Sequence, residues 1–387
     1  MDATATPPVK AGCLKIIEPG GEVHVLKGPL SGPEASIRIT DKKLIRRLMV
    51  IPDLYLGEGY MDGTILVEDG TLYDVLDFFA VNLMALPSGN AAPAVQPVRQ
   101  DNVIGKAQQN VAHHYDLNRA LFELFLDKDL QYSCAYFANE GDSLEAAQLN
   151  KKKRLIAKLR LEPGMRVLNI GSGFGGLALE MARAADVEVV GVTLSQEQWQ
   201  VGQQRAKAAG LDKQVTFKLI DYREVRGSFD RIVSVGMFEH VGRGHYGEFF
   251  GKVRDLLTND GIAMLHSIGR MTPPGSQYSW INKYIFPGGY TPALSEAVVE
   301  IERAGLWITD VEILRLHYAW TLKEWNRRFQ ANRDRAKSLY DERFCRMWEF
   351  YLQMCEVAFR RLGWMVFQVQ MSKSLTAVPV TRKYLGE

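Results

Sequence analysis

The chain has 387 residues, of which 47% are hydrophobic and 24% are charged. These values are typical of soluble globular proteins, and the length is enough for about two domains. The formal net charge is only +2, so the overall charge does not point to nucleic acid, and we expect no such partner. No apolar run approaches the roughly 20 residues of a membrane-spanning helix. The first residues lack the basic and apolar regions of a signal peptide, and any membrane contact is therefore expected to be peripheral.

The four cysteines are far apart in the sequence: Cys13, Cys134, Cys345 and Cys355. No CxxC pair occurs among them, so their spacing gives no support for a zinc site, and we expect no metal. Reduced thiols in the cytoplasm are the simplest interpretation.

Residues 1–96 are predicted to form the first domain. A strand is expected at residues 22–26, and apolar residues at helical spacing predict a helix at residues 72–84. The stretch that follows is rich in Pro, Ala and Gly, which predicts a linker at about residues 86–103. The second domain is then expected over residues 104–387.

Beyond the linker, strand and helix patterns alternate along the chain. Strands are predicted at residues 166–170, 187–192, 215–219, 229–235 and 261–266, and helices at residues 151–160, 177–185, 196–209 and 246–257. This alternation implies βαβ units and a parallel, doubly wound sheet. Residues 322–362 predict a long helical segment rich in aromatic residues, which we expect to pack on the sheet or cover a hydrophobic cavity.

A glycine-rich loop, GSGFGG at residues 171–176, follows an apolar strand and precedes a helix. Glycines let the backbone approach a ligand closely at the carboxyl end of a strand. The spacing is GxGxG rather than GxGxxG, and no acid ends the next strand, where dinucleotide enzymes hold the ribose. Thr193 and Gln198 are the polar candidates there instead. This combination favours S-adenosylmethionine over a dinucleotide.

Asp221 and Tyr222 follow the third predicted strand of this domain. A carboxylate and a ring at that position suit an adenine, the carboxylate accepting from the exocyclic amine. The alternative interpretation is a turn acid beside a packing tyrosine.

Reactive side chains also occur outside the loop. They lie in HHYDLN (residues 113–118), in QYSCAYF (131–137) around Cys134, in MFEHV (237–241) around Glu239, and at His266. Each has an ordinary structural interpretation: helix caps at Asp116 or Asn118, a buried thiol at Cys134, a structural histidine at 266. The functional hypothesis therefore rests on their combination.

With these segments in place, the sequence resembles the cyclopropane-fatty-acyl-phospholipid synthases and the related mycolic acid cyclopropane synthases. The resemblance runs from about Gly57 to near Phe367. Its motifs are LGEGYMDG (56–63), HHYDLN, QYSCAYF, RVLNIGSGFGGLA (166–178), GVTLSQEQ (191–198), FDRIVSVGMFEHVG (229–242) and WINKYIFPGG (280–289). It implies an α/β, Rossmann-like S-adenosylmethionine-dependent methyltransferase domain, preceded by a smaller N-terminal α+β domain that would engage lipid and form a homodimer.

The resemblance also implies roles for individual residues. Contacts to S-adenosylmethionine are implied for Tyr115, Tyr132, Ser133, Gly171, Gly173, Thr193, Gln198, Asp221 and Tyr222. A bicarbonate ion, acting as the base, would be held by Cys134, Glu239, His266, Ile268 (through its backbone) and Tyr318. The implied reaction transfers a methyl group to the cis double bond of unsaturated phospholipid acyl chains at the inner face of the membrane, and closes a cyclopropane ring.

Two alternatives stay open: a methyltransferase that makes methyl-branched fatty acids or acts on another acceptor, and a non-catalytic lipid-binding protein. Asn169 and Ser172 stand where many relatives have Asp and Cys, and we expect altered cofactor affinity rather than lost binding. The basic run KKKR at residues 151–154 would suit anionic headgroups, but a solvated helix face is the favoured interpretation.

Overall fold

The computed structural model describes residues 9–83 and 119–386. Its residues form two compact units. The first comprises the described part of Met1–Val98 together with Ser276–Ile285 and Leu322–Trp364, and the second comprises the described part of Arg99–Gly275 with Phe286–Thr321 and Met365–Glu387. The sequence places one boundary near residue 96 and does not anticipate that two later segments join the first unit.

The strands are β1 (Ala11–Ile17), β2 (Val23–Lys27), β3 (Leu30–Ile39), β4 (Ile65–Asp69), β5 (Arg166–Ile170), β6 (Glu188–Thr193), β7 (Val215–Leu219), β8 (Phe229–Val235), β9 (Leu257–Arg270), β10 (Trp307–Ile313) and β11 (Trp364–Ser372). The helices are α1 (Lys42–Val50), α2 (Pro52–Met61), α3 (Leu72–Leu83), α4 (Arg119–Phe125), α5 (Leu144–Leu159), α6 (Gly176–Ala185), α7 (Gln196–Ala208), α8 (Tyr246–Leu256), α9 (Ser279–Tyr284), α10 (Leu294–Arg303), α11 (His317–Ala331), α12 (Arg333–Leu339) and α13 (Glu342–Arg361). Among the described residues, no helix is long and apolar enough to cross a bilayer.

The first unit is built on a four-stranded sheet in the order β2-β1-β3-β4. β1 runs parallel to β3, and the other neighbouring pairs are antiparallel. Helix α3 packs on β1 and β3, and α13 packs on α2 and α3. The aromatic segment predicted at residues 322–362 is therefore found in the first unit, divided into the end of α11, α12 and α13.

Two sequence motifs meet inside this unit. Gly57 lies so close to the indole of Trp280 that a Cβ at Gly57 would be 2.3 Å from Trp280 Cδ1. Trp280 Nε1 donates to Met61 Sδ at 3.2 Å, and Glu58 accepts from Lys283 Nζ at 2.6 Å. Residues 57–61 and 280–283 of these motifs therefore pack together, and Gly57 is required there by the close approach of a ring.

The second unit is built on a seven-stranded sheet in the order β10-β11-β9-β8-β5-β6-β7. The strands from β9 to β7 are parallel along that order, and β10 is antiparallel to β11. β5 lies between β6 and β8. The chain therefore adds β6 and β7 on one side of β5 and later adds β8 and β9 on its other side. Ligands bind at such a switch point, outside the carboxyl ends of the strands. The predicted parallel, doubly wound sheet is confirmed.

Candidate functional site

The glycine loop after β5 lies at this switch point. Gly171, Gly173 and Gly175 have φ values of +77°, +54° and +86°, in the left-handed region that glycine adopts without a Cβ penalty. The N–H groups of Gly171 and Ser172 donate to the carbonyl of Val192 at 3.0 and 2.9 Å, which ties the loop to β6. A Cβ at Gly173 would meet no atom within 4 Å, so this part of the loop faces open space.

That space is a cavity of about 150 Å³ at the ends of β5, β6, β7 and β8. Eight of the nine predicted cofactor residues line it: Tyr132, Ser133, Gly171, Gly173, Thr193, Gln198, Asp221 and Tyr222. The ninth, Tyr115, lies outside the described residues. The polar groups come from separate strand ends and from residues 131–133. The fold therefore brings together residues that are up to about ninety positions apart in the sequence.

Two predicted cofactor residues hold each other in place. Thr193 Oγ1 donates to Gln198 Oε1 at 2.8 Å, and the N–H of Ser195 donates to Thr193 Oγ1 at 3.2 Å. Ser195 also caps α7, since its hydroxyl accepts from the N–H of Gln198. This network fixes the turn after β6, where a ribose-binding acid would stand in a dinucleotide enzyme.

Asp221 is engaged by Arg223. Its Oδ1 accepts from Arg223 Nε at 2.9 Å and its Oδ2 accepts from Arg223 Nη2 at 2.8 Å. Both side chains line the cavity, with Tyr222 between them in the sequence. A carboxylate oxygen has two lone pairs, so Asp221 retains acceptor capacity for an exocyclic amine beside its two hydrogen bonds from Arg223.

Two buried oxygens in the cavity wall have no hydrogen-bond partner among the described residues: Asn169 Oδ1 and Ser172 Oγ. Leaving a buried polar atom unpaired costs about 1–3 kcal/mol. The ammonium and ribose hydroxyls of S-adenosylmethionine are donors of the kind these acceptors lack. The wall therefore fits a cofactor rich in donors, although Asn169 and Ser172 depart from the family pattern.

A lysine behind the cavity overturns the interpretation of the basic run. Lys151 is fully buried, and its Nζ donates to Ser133 Oγ at 2.8 Å and to Gln131 Oε1 at 2.9 Å. Lys152 is also buried and pairs with Asp129, whereas Lys153 is exposed. The expectation of a solvated face is wrong for the first two lysines. They lie on the inward stripe of α5, spaced between Leu144, Ala147 and Leu155.

Two of the five predicted catalytic residues contact each other directly. Glu239 Oε1 accepts from the backbone N–H of Ile268 at 2.6 Å, while Oε2 is buried without a partner among the described residues. Burial raises the pKa of Glu239 to about 7, and the hydrogen bond from Ile268 opposes part of that rise. Ile268 lies within β9, which continues beyond its predicted end at His266 to Arg270.

His266 is held by a residue that sequence reasoning missed. Lys158 Nζ donates to Gln368 Oε1 at 2.8 Å, so the amide nitrogen of Gln368 faces His266 Nδ1 at 3.1 Å. Because that amide nitrogen can only donate, Nδ1 accepts and the neutral ring carries its proton on Nε2. Burial lowers the pKa of His266 well below its usual value, and Lys151 and Lys158 act in the same direction.

The segment around Cys134 is hydrogen-bonded to the first turn of α11, which contains Tyr318. The N–H of Ala135 donates to Thr321 Oγ1 at 3.1 Å, and the N–H of Phe137 donates to His317 Nδ1 at 3.1 Å. Tyr318 is buried between these two anchor positions in the sequence. Burial raises the pKa of the Cys134 thiol far above its usual value, so the residue acts as a neutral thiol rather than a nucleophile.

None of the five predicted catalytic residues is among the described residues lining the cavity. Residues on either side of Glu239 do line it, namely Met237 and His240. Sequence reasoning also missed Gln131, Lys151 and Arg223. For Lys151 a signal was present, since it continues the apolar spacing of α5; for Gln368, in a uniformly buried strand, no signal was present.

Comparison with known proteins agrees with this geometry. A family model described as mycolic acid cyclopropane synthetase matches residues 104–369. The chain is 39% identical over 350 residues to the cyclopropane-fatty-acyl-phospholipid synthase of Escherichia coli K12, covering 88% of each chain. It is 38% identical over 342 residues to a probable fatty acid methyltransferase of Pseudomonas putida, covering 86% of this chain and 85% of the relative.

Solved structures agree as well. The cyclopropane synthase MmaA2 of Mycobacterium tuberculosis superposes with a TM-score of 0.66 at 32% identity, covering 69% of this chain and 98% of that one. The mycolic acid cyclopropane synthase CmaA1, complexed with SAH and CTAB, gives a TM-score of 0.65 at 34% identity, covering 68% and 97%. Family and fold, as implied by the motifs, are confirmed: the chain belongs to the mycolic acid cyclopropane synthetase family of S-adenosylmethionine-dependent methyltransferases.

Proposed function

We propose that the protein transfers the methyl group of S-adenosylmethionine to the cis double bond of unsaturated phospholipid acyl chains and closes a cyclopropane ring, with bicarbonate as the base. The observation that carries the proposal is the cavity at the sheet's switch point, lined by eight predicted cofactor residues. The buried Glu239 carboxyl, whose sequence neighbours line that cavity, adds a proton acceptor.

The cofactor, when bound, supplies an electrophilic methyl group on a sulfonium sulfur. Asp221 and Tyr222 would hold its adenine, and Thr193 with Gln198 its ribose. Tyr132 and Ser133 would hold the amino-acid end, with Ser133 fixed from behind by Lys151. Fixing the donor in line with the alkene matters because a double bond is a weak nucleophile, and orientation removes much of the entropic barrier.

Ring closure requires one proton to leave the added methyl group, so the site must accept one proton per turnover. Bicarbonate, when bound, supplies that base. Glu239 Oε2, without a partner among the described residues, would accept a hydrogen bond from the bicarbonate hydroxyl. The N–H at His266 Nε2 would donate a hydrogen bond to a bicarbonate oxygen. Tyr318 and the backbone near Cys134 and Ile268 would orient it. Burial of these groups keeps out the water that would quench a carbocation to an alcohol.

The reaction is tested by incubating the protein with S-adenosylmethionine and vesicles of unsaturated phospholipid, followed by mass spectrometry of the fatty acid methyl esters. Gain of one methylene with loss of the double bond supports the proposal. Omission of bicarbonate under carbon-dioxide-free conditions should slow conversion. Unchanged lipid in the presence of bound cofactor would overturn the proposal and favour the non-catalytic lipid-binding alternative.

The second candidate is a methyltransferase that forms methyl-branched fatty acids. A specific observation keeps it open, because a probable fatty acid methyltransferase matches the chain at 38% identity and a cyclopropane-fatty-acyl-phospholipid synthase at 39%. Cys134, Glu239 and His266 fit either carbon product, because the carbocation formed by methyl transfer must lose a proton both when it closes a ring and when it leaves a methylene branch. A product that has gained carbon without forming a ring in nuclear magnetic resonance would select the alternative.

We further propose that residues 1–96 engage lipid and form a homodimer, that residues 104–387 carry catalysis, and that the protein acts in the cytoplasm at the inner face of the membrane. The reaction supports the membrane assignment, since the substrate's double bond lies inside a bilayer. Analytical ultracentrifugation tests the dimer; a monomer at all concentrations used in the assay would contradict it.

A further inference from the structure

Helix α1 of the first unit separates its apolar and basic residues. Leu44 is buried in the core with 4% exposure, and Ile45 and Leu48 pack beside it. Asp41 caps the start of the helix, and its carboxylate accepts from the N–H of Lys43 at 2.9 Å. Its exposed residues include four cations: Lys42, Lys43, Arg46 and Arg47.

The helix ends in an exposed apolar tip. Met49 is 82% exposed, Val50 is 74% exposed and Ile51 is 37% exposed. Single exposed apolar residues are ordinary on protein surfaces. Three large ones in succession occur nowhere else in the described ranges, and here they adjoin the basic residues of the same helix.

The charge of this surface is not balanced by its neighbours. The segment from Lys42 to Ile51 contains no acidic residue, and none of its four cations forms a salt bridge with another described residue. Asp41 is used as the helix cap, and Asp53 accepts from the N–H of Ser279 at 2.7 Å. The surface thus combines a concentrated positive charge with an apolar tip. Cations are attracted to anionic headgroups, and exposed apolar side chains are stabilised at the boundary with the acyl chains.

We propose that Lys42–Ile51 is the surface by which this protein docks on an anionic phospholipid bilayer. Met49, Val50 and Ile51 enter the boundary between headgroups and acyl chains, and the four cations contact headgroup phosphates. The inference rests on the proposed function, because an enzyme that modifies acyl chains must reach them in the bilayer. A flat protein partner is less well matched, since protein interfaces are depleted in lysine at their centres.

The test uses the full chain and vesicles of oleoyl phosphatidylcholine with or without oleoyl phosphatidylglycerol. The double variant Met49→Asp/Val50→Asp should bind anionic vesicles at least ~10-fold more weakly in co-sedimentation. The double variant Lys43→Gln/Arg46→Gln should lose most of the dependence on phosphatidylglycerol and salt. Leu375→Asp, which alters an apolar residue of the second unit that is 63% exposed, is the matched control and should bind as the unaltered chain does.

Conversion of the same lipid dispersed in detergent micelles separates this inference from the proposed function. If the unaltered chain converts micellar lipid and the Met49/Val50 variant binds vesicles normally, the docking surface is wrong while the function stands. If micellar lipid is not converted but the variant loses vesicle binding, the docking surface stands and the function fails. A change from dimer to monomer with unaltered vesicle binding would identify the surface as a contact between two copies, and would also overturn the proposal.

Discussion

Lys151 Nζ and Ser133 Oγ are joined by a hydrogen bond of 2.8 Å behind the wall of the cavity at the sheet's switch point. The same ammonium donates to Gln131 Oε1, so one buried cation fixes two residues that line the cavity. Burial lowers the pKa of Lys151 to about 8, against a tendency of Asp127 to raise it. A charge kept in so unfavourable an environment indicates a positioning role rather than a contribution to stability.

Replacing Lys151 by Met should weaken cofactor binding by about 10-fold or more, because Gln131 and Ser133 lose their shared donor. Calorimetric titration with S-adenosylmethionine measures this, and Lys153→Met, at the exposed neighbouring position, should bind normally. Equal affinities for the two variants would contradict the positioning role.

The same variant should change the pH dependence of stability. The pKa of Lys151 is lowered in the folded state, from 10.5 to about 8, so the unfolded state binds more protons between these values. The unaltered chain should therefore gain up to roughly 3 kcal/mol of unfolding free energy relative to Lys151→Met as pH rises through this window. Urea denaturation of both proteins at several pH values measures the difference; parallel curves would argue against it.

For Glu239→Gln, the pH dependence of the unfolding free energy should have the opposite sign. The pKa of Glu239 is raised from 4.5 to about 7 by burial, so ionisation destabilises the folded state increasingly between those values. Relative to the unaltered chain, the variant should gain up to about 3 kcal/mol as pH rises through that window. Its lipid conversion should fall at least about 100-fold with cofactor binding retained, whereas Glu302→Gln, at an exposed position, should change neither property.

Gly173→Ala should block the cofactor rather than unfold the protein. Gly173 has φ +54°, and a Cβ there meets no atom within 4 Å, so the methyl group would project into the cavity. Gly210 has φ +66° and equally open surroundings but does not line the cavity. Both Ala variants should lose about 1 kcal/mol of stability, and only Gly173→Ala should lose cofactor affinity, by about 10-fold or more. A normal titration for Gly173→Ala would place the cofactor elsewhere.

Gln368→Leu should allow the neutral ring of His266 to adopt either tautomer. The amide of Gln368 donates to Nδ1 of His266, and without it the ring can carry its proton on either nitrogen. Lipid conversion should fall about 10-fold with unchanged cofactor affinity, and nitrogen-15 spectra should show mixed tautomers at His266. Gln370→Leu, two residues along the same buried strand and bonded to Lys158 and Thr309 instead, is the control. A single unchanged tautomer in Gln368→Leu would refute the assignment.

Much of the second unit could be predicted from local patterns. The alternation of apolar strands and amphipathic helices determined β5 to β9 with their intervening helices, and the GxGxG spacing placed a cofactor loop after β5. Strand ends in a parallel sheet converge by necessity. For that reason residues as distant as Thr193 and Asp221 could be assigned to one site from the sequence.

What the sequence by itself determined about this protein is its family, its parallel sheet and eight of the residues that line the cavity. Only the tertiary structure decided that Lys151 donates to Ser133, that Gln368 orients His266, and that Gly57 meets Trp280. Each of these relationships joins segments far apart in the chain. Periodicity reports which face of one element is apolar, whereas the partner of a buried polar group is set by packing between elements.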